Sequence, residues 1–196
     1  MLNNLRDSLL PTMEKLGRGF ASTGLSANFW TGVGLAISFA AGGAYASTLF
    51  GVPSYLAAVV GGVLLLVSGF FDMIDGAVAR VTKQASKKGA FLDSTFDKIS
   101  EVVIFIGIAA GGLANPVWCM AGLGLSLLVS YTRARAESLG VELKGIGIGE
   151  RAERMLILAI IGMIPFANSM EWAVILVTIV AGITLVQRIV ATAKKL

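Results

Sequence analysis

Long uncharged stretches are the feature that most limits the fold of this chain. Residues 29–50, 54–71, 102–132, 155–170 and 172–187 contain no charged side chain. A helix needs about 20 largely apolar residues to cross the hydrocarbon core of a bilayer, and these stretches with their flanks make up most of the 196 residues. Only 14% of the residues are charged, against about 25% in a soluble domain. The composition excludes a disordered chain and predicts one all-α, polytopic membrane domain over residues 1–196.

Six transmembrane helices are expected along these stretches. Their bounds are about 27–50, 54–81, 90–113, 116–138, 150–168 and 171–192. Asn115 and Pro116 divide the longest stretch, because a proline after an asparagine is typical of a turn. Pro165 helps to end the fifth helix. Gly and Ala recur along the spans and allow close helix packing, so we expect one bundle over residues 27–192 and, from its Gly-rich faces, a homodimer.

Residues 1–25 have a different pattern. Apolar side chains recur at three- and four-residue steps, at Leu2, Leu5, Leu9, Met13, Leu16 and Phe20. Charged residues fall between them, as in an amphipathic helix that lies in the membrane interface, and Pro11 is a candidate break or kink. An ordinary solvated helix is the alternative. The stretch has no apolar core followed by a cleavage site, so we expect no secretory signal.

The distribution of basic residues predicts the orientation. With six helices, the two termini and the loops at 81–90 and 138–150 share one side of the membrane. All sixteen Lys and Arg residues lie there or on the adjoining helix ends: Arg6, Lys15, Arg18, Arg80, Lys83, Lys87, Lys88, Lys98, Arg133, Arg135, Lys144, Arg151, Arg154, Arg188, Lys194 and Lys195. The opposite side carries only Glu171. Because positively charged loops stay in the cytoplasm, we expect a multi-pass protein of the cell membrane with both termini cytoplasmic.

Two absences limit the chemistry. The chain has no histidine, which excludes catalysis by histidine and histidine-ligated zinc or haem. Its only cysteine, Cys119, lies inside an apolar stretch, so internal disulfides and thiolate metal clusters are excluded. Chemistry must therefore rest on carboxylates, Lys, Arg and hydroxyl groups. Membrane lipids are expected partners, and nucleic acid is not.

Four aspartates form the most informative motif. Asp72 and Asp75 are three residues apart near the end of the second transmembrane helix, so they share a helical face. Asp93 and Asp97 are four apart at the start of the third, and Glu101 continues their row. The turn at residues 82–89 folds the two helices against each other. We therefore expect four carboxylates from two antiparallel helices to meet at one depth.

Carboxylates this close together need compensation, because like charges on one helical face destabilise it. Hard divalent cations bind through oxygen ligands, and two ions can share bridging carboxylates. Two such ions form a clamp suited to phosphoryl transfer. The aspartates therefore predict a functional metal site. The alternative is that they only solvate the ends of the two helices.

The spacing carries a family resemblance. Asp72-x-x-Asp75-Gly76-x-x-Ala79-Arg80, then eight residues, then Gly89-x-x-x-Asp93-x-x-x-Asp97 resembles the signature of the CDP-alcohol phosphotransferase family at every specified position. The expected six helices, interfacial N-terminal helix and cytoplasm-facing site are also similar to that family. The resemblance implies transfer of a phosphatidyl-type group from a CDP-lipid to an alcohol, with release of CMP.

The resemblance also implies roles for the acidic residues. Asp72, Asp75 and Asp93 would bind two metal ions, Mg²⁺ or Mn²⁺. Asp97 would contact the second ion and act as the general base on the acceptor hydroxyl. A carboxylate beside a divalent ion stays ionised and can accept a proton.

The CDP-lipid would be bound around the same motif. The residues implied for this are Gly76, Arg80, Ser86, Asn28 and Thr31. Arg80 suits a pyrophosphate because its planar fork pairs with two oxygens. Asn28 and Thr31 lie where family members commonly have Thr-Pro-Asn-x-x-Thr, but this chain has Ser26-Ala27 in place of Thr-Pro. Helix capping is the alternative role for both residues.

Arginines accumulate in the cytoplasmic halves of the last three helices. They are Arg133, Arg135, Arg151, Arg154 and Arg188. Cations at a helix N-terminus are electrostatically unfavourable, so Arg151 and Arg154 indicate an anionic ligand such as a phosphate on the acceptor. Contact with lipid headgroups is the alternative.

These segments resemble the branch of the family that makes phosphatidylinositol phosphate, and archaeal archaetidylinositol phosphate synthases look similar. Arg133 and Ala152 stand where that branch typically has Lys and Pro, whereas Arg154 and Arg188 match. The resemblance implies that Arg133, Arg154 and Arg188 bind the phosphate of inositol 1-phosphate. The lipid donor would be CDP-diacylglycerol or CDP-archaeol, between which the chain does not distinguish.

Two other functions are weighed against this one. The nearer one keeps the family and changes the acceptor to glycerol 3-phosphate or, less favoured, to serine or free inositol. The distant one is a small ion or metal transporter that uses the aspartates as its pathway. A transporter needs a polar route across both halves of the membrane, whereas the charged groups here lie in the cytoplasmic half and leave only Glu171 beyond.

Overall fold

The computed structural model describes residues 2–84, 86–143 and 145–196, with side chains from residue 11 onward. Lys144, one of the expected cytoplasmic cations, lies outside the described residues. The described chain is helical, without strands: α1 (Leu2–Ala21), α2 (Ala27–Ala46), a 3-10 helix (Ser47–Phe50), α3 (Ser54–Val81), α4 (Lys87–Ala110), α5 (Pro116–Ser138), α6 (Arg151–Met163) and α7 (Ser169–Ala193). An all-α membrane fold with an N-terminal helix is thus observed.

Four of the described helical segments are long and apolar enough to cross a membrane. They are Ala27–Phe50, Ser54–Val81, Pro116–Ser138 and Ser169–Ala193. The other two segments expected to span are α4, which carries charged residues through its first half, and α6, which has only 13 residues. At about 1.5 Å per residue, a helix of that length is shorter than the hydrocarbon core.

Local chemistry explains several helix boundaries. The side chain of Ser26 caps α2 by accepting a hydrogen bond from the Phe29 backbone N–H. Asn115 caps α5 through the Val117 N–H, with Pro116 as the first helical residue, which confirms the expected turn. The fifth expected span ends earlier than residue 168, because Ile164 takes an extended conformation ahead of Pro165.

The buried core joins all six helices that follow α1. Ala41, Leu65, Ile104, Leu158 and Val177 are among its side chains. Many large apolar side chains outside this core are exposed, including Phe39, Val63, Ile106 and Ile179. Exposed apolar surface on this scale marks an interaction with membrane or protein, and it fits the lipid contact expected of a membrane-spanning bundle.

Two glycines, one on α2 and one on α4, allow a close approach of these helices. A Cβ built on Gly107 would lie 2.8 Å from the Gly42 Cα and carbonyl carbon, and nearer still to the carbonyl oxygen. Small residues allow helix backbones to approach this closely in membranes. This contact sets the distance between α2 and α4 and therefore helps to place the acidic half of α4.

Gly107→Ala should consequently destabilise the bundle. The obstructing atoms are backbone rather than a flexible side chain, so α2 must move, and overpacking of this kind costs about 1–3 kcal/mol. We expect a lower unfolding midpoint in detergent. Gly124→Ala on α5 is the matched control, because its Cβ would meet nothing within 4 Å. Equal midpoints for the two variants would contradict the prediction.

The N-terminal helix packs on the half of α3 that carries the aspartates. A Cβ on Gly17 would lie 2.9 Å from the Ala77 carbonyl carbon, so α1 approaches the α3 backbone directly. Met13 of α1 is buried with Ile74 and Val78 of α3. Pro11 lies inside α1, and the helix continues through it. The described part of α1 therefore supports the site from outside rather than standing free in solvent.

Candidate active site

Three of the four predicted aspartates converge. One carboxylate oxygen each from Asp72, Asp75 and Asp93 lies within 4.8 Å of the others. The first two come from adjacent turns of α3 and the third from the first turns of α4. The expected direct packing of α3 on α4 is not observed among the described residues: both helices pack mainly on α2, and the three carboxylates meet beside it as a cluster of oxygen ligands.

Asp97 lies one turn further along α4 and has a different partner. Its Oδ1 is 2.7 Å from Nη1 of Arg151, and the same nitrogen is 3.3 Å from Oδ2 of Asp72. Arg151 thus links Asp97 to the three-carboxylate cluster. Charge-assisted contacts of this length are strong, and they hold Asp97 beside the cluster.

The donor set fits a hard divalent cation. Asp75 is only 6% exposed, yet its Oδ2 has no hydrogen-bond partner among the described residues. A buried carboxylate oxygen without a partner is costly, and an ion bound by the three aspartates would satisfy it. Carboxylate oxygen is the ligand that Mg²⁺ and Mn²⁺ prefer.

A small cavity of about 180 Å³ adjoins the cluster between α2, α3 and α4. Asn28, Thr31, Gly76 and Ser86 line it together. These are four of the five residues expected to contact the CDP-lipid. Ser86 also caps α4, accepting a hydrogen bond from the Gly89 N–H at 3.0 Å.

Two glycines shape this cavity. A Cβ on Gly89 would crowd both the Ser86 hydroxyl and the Asn28 side-chain oxygen at 3.2 and 3.3 Å. A Cβ on Gly76 would lie 3.4 Å from Nη1 of Arg80, so Arg80, the fifth expected contact, extends over Gly76. The absence of side chains at the two positions leaves room for a nucleotide beside the aspartates.

A larger cavity of about 790 Å³ lies on the other side of the cluster. Arg133, Arg154 and Arg188, the three arginines expected to bind the acceptor phosphate, all line it, and so does Arg151. Asp97 is also in its wall. Ala90 and Asp93 line both the larger and the smaller cavity, so the two spaces meet at the aspartates.

The cavity arginines are held in different ways. Arg188 is 3% exposed and donates from Nε to the Ile146 carbonyl and from Nη1 to the Val129 carbonyl, at 3.0 and 2.8 Å. Arg133 is more open and donates to Glu137 at 2.9 Å. Arg188 is therefore anchored in the protein, whereas Arg133 lies at the accessible rim.

Arg154 of this wall forms a buried pair with Glu101, which lies behind it. Both are almost fully buried, at 1% and 0% exposure, and Nη2 of Arg154 is 3.1 Å from Oε1 of Glu101. The position of Glu101 in the acidic row of α4 is visible in the sequence, but its partner is not, because the contact joins residues 53 apart in the chain. Arg151 is similar: its location at the start of a helix indicated an anion, and the structure supplies Asp97, Asp72 and Glu101.

The fold and the site define a class: an all-α membrane enzyme with an acidic, metal-binding cluster between a small cleft and an arginine-lined cavity. The chain belongs to the CDP-alcohol phosphatidyltransferase family, whose profile matches residues 25–186. The resemblance found in the aspartate motif is thereby confirmed, and the protein is a CDP-alcohol phosphotransferase.

The similar proteins point to one branch of that family. The archaetidylinositol phosphate synthase of Pyrococcus horikoshii is 38% identical over 198 residues, covering 100% of this chain and 98% of the relative. The crystal structure of Mycobacterium tuberculosis phosphatidylinositol phosphate synthase with CDP-DAG bound matches with a TM-score of 0.79 and 26% identity, over 92% of each chain. The same protein in complex with manganese and citrate matches with a TM-score of 0.77 and 26% identity, over 92% of this chain and 88% of that one.

Proposed function

We propose that this enzyme transfers the phosphatidyl-type group of a CDP-lipid to inositol 1-phosphate and releases CMP. The donor is CDP-diacylglycerol or CDP-archaeol. The observation that carries the proposal is the meeting of two cavities at Asp93, one suited to a nucleotide and the other lined by arginines. The similar proteins named as synthases of inositol phosphate lipids favour inositol phosphate over glycerol 3-phosphate as the acceptor.

The reaction is a displacement at the lipid-bearing phosphorus. A hydroxyl oxygen of the acceptor forms a new bond to that phosphorus, and the bond to the bridging pyrophosphate oxygen breaks. CMP leaves with the bridging oxygen, and the hydroxyl proton goes to the carboxylate of Asp97. Asp97 suits this role because it lies in the wall of the acceptor cavity, one turn from Asp93 on the same helix.

The chain positions both substrates around this step. Asn28, Thr31, Gly76, Arg80 and Ser86 bind the CDP portion of the donor. Asp72, Asp75, Asp93 and Asp97 would hold two divalent ions, Mg²⁺ or Mn²⁺, which would neutralise the charge of the pyrophosphate and of the attacking and leaving oxygens. Arg133, Arg154 and Arg188 bind the acceptor phosphate, for which guanidinium groups provide paired donors.

The same proposal includes the membrane arrangement. α4 crosses the membrane with the four longer spans, and so does α6 together with the apolar residues 164–167 that follow it. This gives six crossings and places both termini in the cytoplasm. The uncharged second half of α4, residues 102–110, and the contacts of α6 with α3 and α7 support this. The active site then faces the cytoplasm of the cell membrane. The Gly-rich faces support a homodimer.

Release of CMP tests the acceptor directly. Purified enzyme in liposomes with a CDP-lipid and Mg²⁺ should release CMP when inositol 1-phosphate is supplied. Rates with glycerol 3-phosphate, serine or free inositol should be at least about 100-fold lower, because an acceptor without the matching phosphate or ring leaves buried polar groups unpaired.

Each alternative has its own result in this assay. Comparable turnover with glycerol 3-phosphate would make the enzyme a glycerophosphate lipid synthase and remove the inositol assignment. Absence of CMP release with every acceptor, in folded protein that binds Mn²⁺, would contradict the transferase. Uptake of metal ions into sealed liposomes, measured in parallel, would then favour the transporter.

A further inference from the structure

Glu101 is a buried carboxylate on which three cations converge. Its side chain is fully buried, and Lys98 Nζ, Arg154 Nη2 and Arg151 Nε lie 3.2, 3.1 and 3.6 Å from its Oε1. Its Oε2 is also 3.4 Å from Arg154 Nη2. A carboxylate is buried at this cost only where it is paired, so Glu101 is the common counter-ion of this group.

Glu101 lies behind the arginines rather than beside the ligand space. Lys98, Arg151 and Arg154 all line the large cavity, whereas Glu101 is not among its lining residues. It is also outside the cluster of Asp72, Asp75 and Asp93. Any influence of Glu101 on a ligand in the cavity must therefore pass through the cations that it holds.

The contacts of Arg154 show what Glu101 does to it. Nη1 of Arg154 donates to the Gly149 carbonyl at 2.8 Å, and Nη2 donates to Glu101. Nε of Arg154 is buried and has no hydrogen-bond partner among the described residues. Two nitrogens thus fix the plane of the guanidinium, and the third is left without a partner, as in a binding group arranged in advance.

The charges around Glu101 do not balance. Within 4.0 Å among the described residues, Lys98 and Arg154 have no carboxylate partner other than Glu101, so one carboxylate serves two cations before Arg151 is counted. Both cations lie in the wall of the cavity, and the phosphate of an acceptor bound there would supply a further anionic partner for Arg154.

We infer that Glu101 is a positioning residue, which orients Arg154 for the phosphate of the acceptor. Arg151, which lies 3.6 Å from Glu101 and 2.7 Å from Asp97, links this group to the general base. The inference rests on the proposed function, since it assumes a phosphorylated acceptor in the arginine-lined cavity.

Glu101→Gln tests it, because the substitution keeps the size of the side chain and removes its charge. We expect KM for inositol 1-phosphate to rise by a factor of about 10 to 100, as for loss of a charge-assisted contact. KM for the CDP-lipid should stay within about twofold, and kcat at saturating acceptor should fall less than KM rises. A second readout needs no turnover: inositol 1-phosphate should raise the unfolding midpoint of the wild-type enzyme with Mg²⁺, and raise that of Glu101→Gln much less.

Glu171→Gln is the matched control, because it makes the same chemical change near the start of α7, at the other end of the bundle. It should behave as wild type. If Glu101→Gln does not fold, the Glu101→Asp variant tests the positioning role in its place. That variant keeps the charge, shortens the reach to the arginines, and should raise KM for inositol 1-phosphate severalfold with a normal unfolding midpoint.

The possible outcomes distinguish failure of the proposed function from failure of the positioning role of Glu101. If the wild-type enzyme neither turns over inositol 1-phosphate nor is stabilised by it, the proposed function is wrong. If the wild-type enzyme responds to inositol 1-phosphate but the folded Glu101→Gln variant has an unchanged KM for it, the positioning role alone is overturned. A fall in kcat with unchanged KM, or an equal change for both substrates, also overturns it, because those are the results of a purely structural counter-ion.

Discussion

Asp97→Asn should abolish CMP release while the protein remains folded. Asparagine has nearly the same shape as aspartate but cannot accept the proton of the acceptor hydroxyl. Loss of a general base lowers rates by about 10²–10⁴-fold, and Asp97 is also expected to contact one of the two ions. We therefore expect kcat to fall at least about 1,000-fold in the liposome assay with inositol 1-phosphate.

The binding of Mn²⁺ distinguishes the role of Asp97 as a general base from its role as a metal ligand. Asp97 lies outside the group of Asp72, Asp75 and Asp93, so Asp97→Asn should retain one Mn²⁺ site and weaken the second, as measured by electron paramagnetic resonance. Glu14→Gln, on the exposed face of α1, serves as the control with wild-type turnover. Residual turnover within tenfold of wild type would mean that another group accepts the proton.

The parts of the fold that depend on local chemistry could be predicted from the sequence. The turn at Asn115 and Pro116 and the early end of α6 before Pro165 both follow from the missing N–H and fixed φ of proline. The approach of α2 to α4 at Gly42 and Gly107 could not be predicted, because many glycines share the same pattern. Which of them meet depends on the packing of the whole bundle.

The candidate site also has one part that could be predicted from the sequence and one part that could not. The three-residue step places Asp72 and Asp75 on one face of α3, whereas Asp93 joins them from α4 because both helices pack on α2. The ion pair of Glu101 with Arg154 depends on burial and on contact between distant helices, and neither can be derived from spacing. A charged residue in an apolar helix indicates a partner, but the partner itself requires the tertiary structure.

Asp75→Asn should disable the metal site more thoroughly than any other single change of equal size. Asp75 is the most buried aspartate of the cluster, and its Oδ2 has no hydrogen-bond partner in the described part of the chain. Replacing it removes one anionic ligand and introduces an amide nitrogen, which repels a cation. We expect Mn²⁺ affinity to fall at least about 100-fold and CMP release to fall with it by about 1,000-fold or more.

The unfolding midpoint distinguishes loss of metal binding from misfolding, because the effect of Asp75→Asn on this midpoint depends on whether the metal is present. Asp72, Asp75 and Asp93 hold like charges within 4.8 Å, which destabilises the protein when no ion is present. Asp75→Asn should therefore raise the unfolding midpoint in chelator and reduce the further rise that Mn²⁺ produces in the wild type, since a ligand stabilises only the state that binds it. A variant less stable than wild type in chelator, with an undiminished response to Mn²⁺, would show that Asp75 supports the helix packing and not the ion.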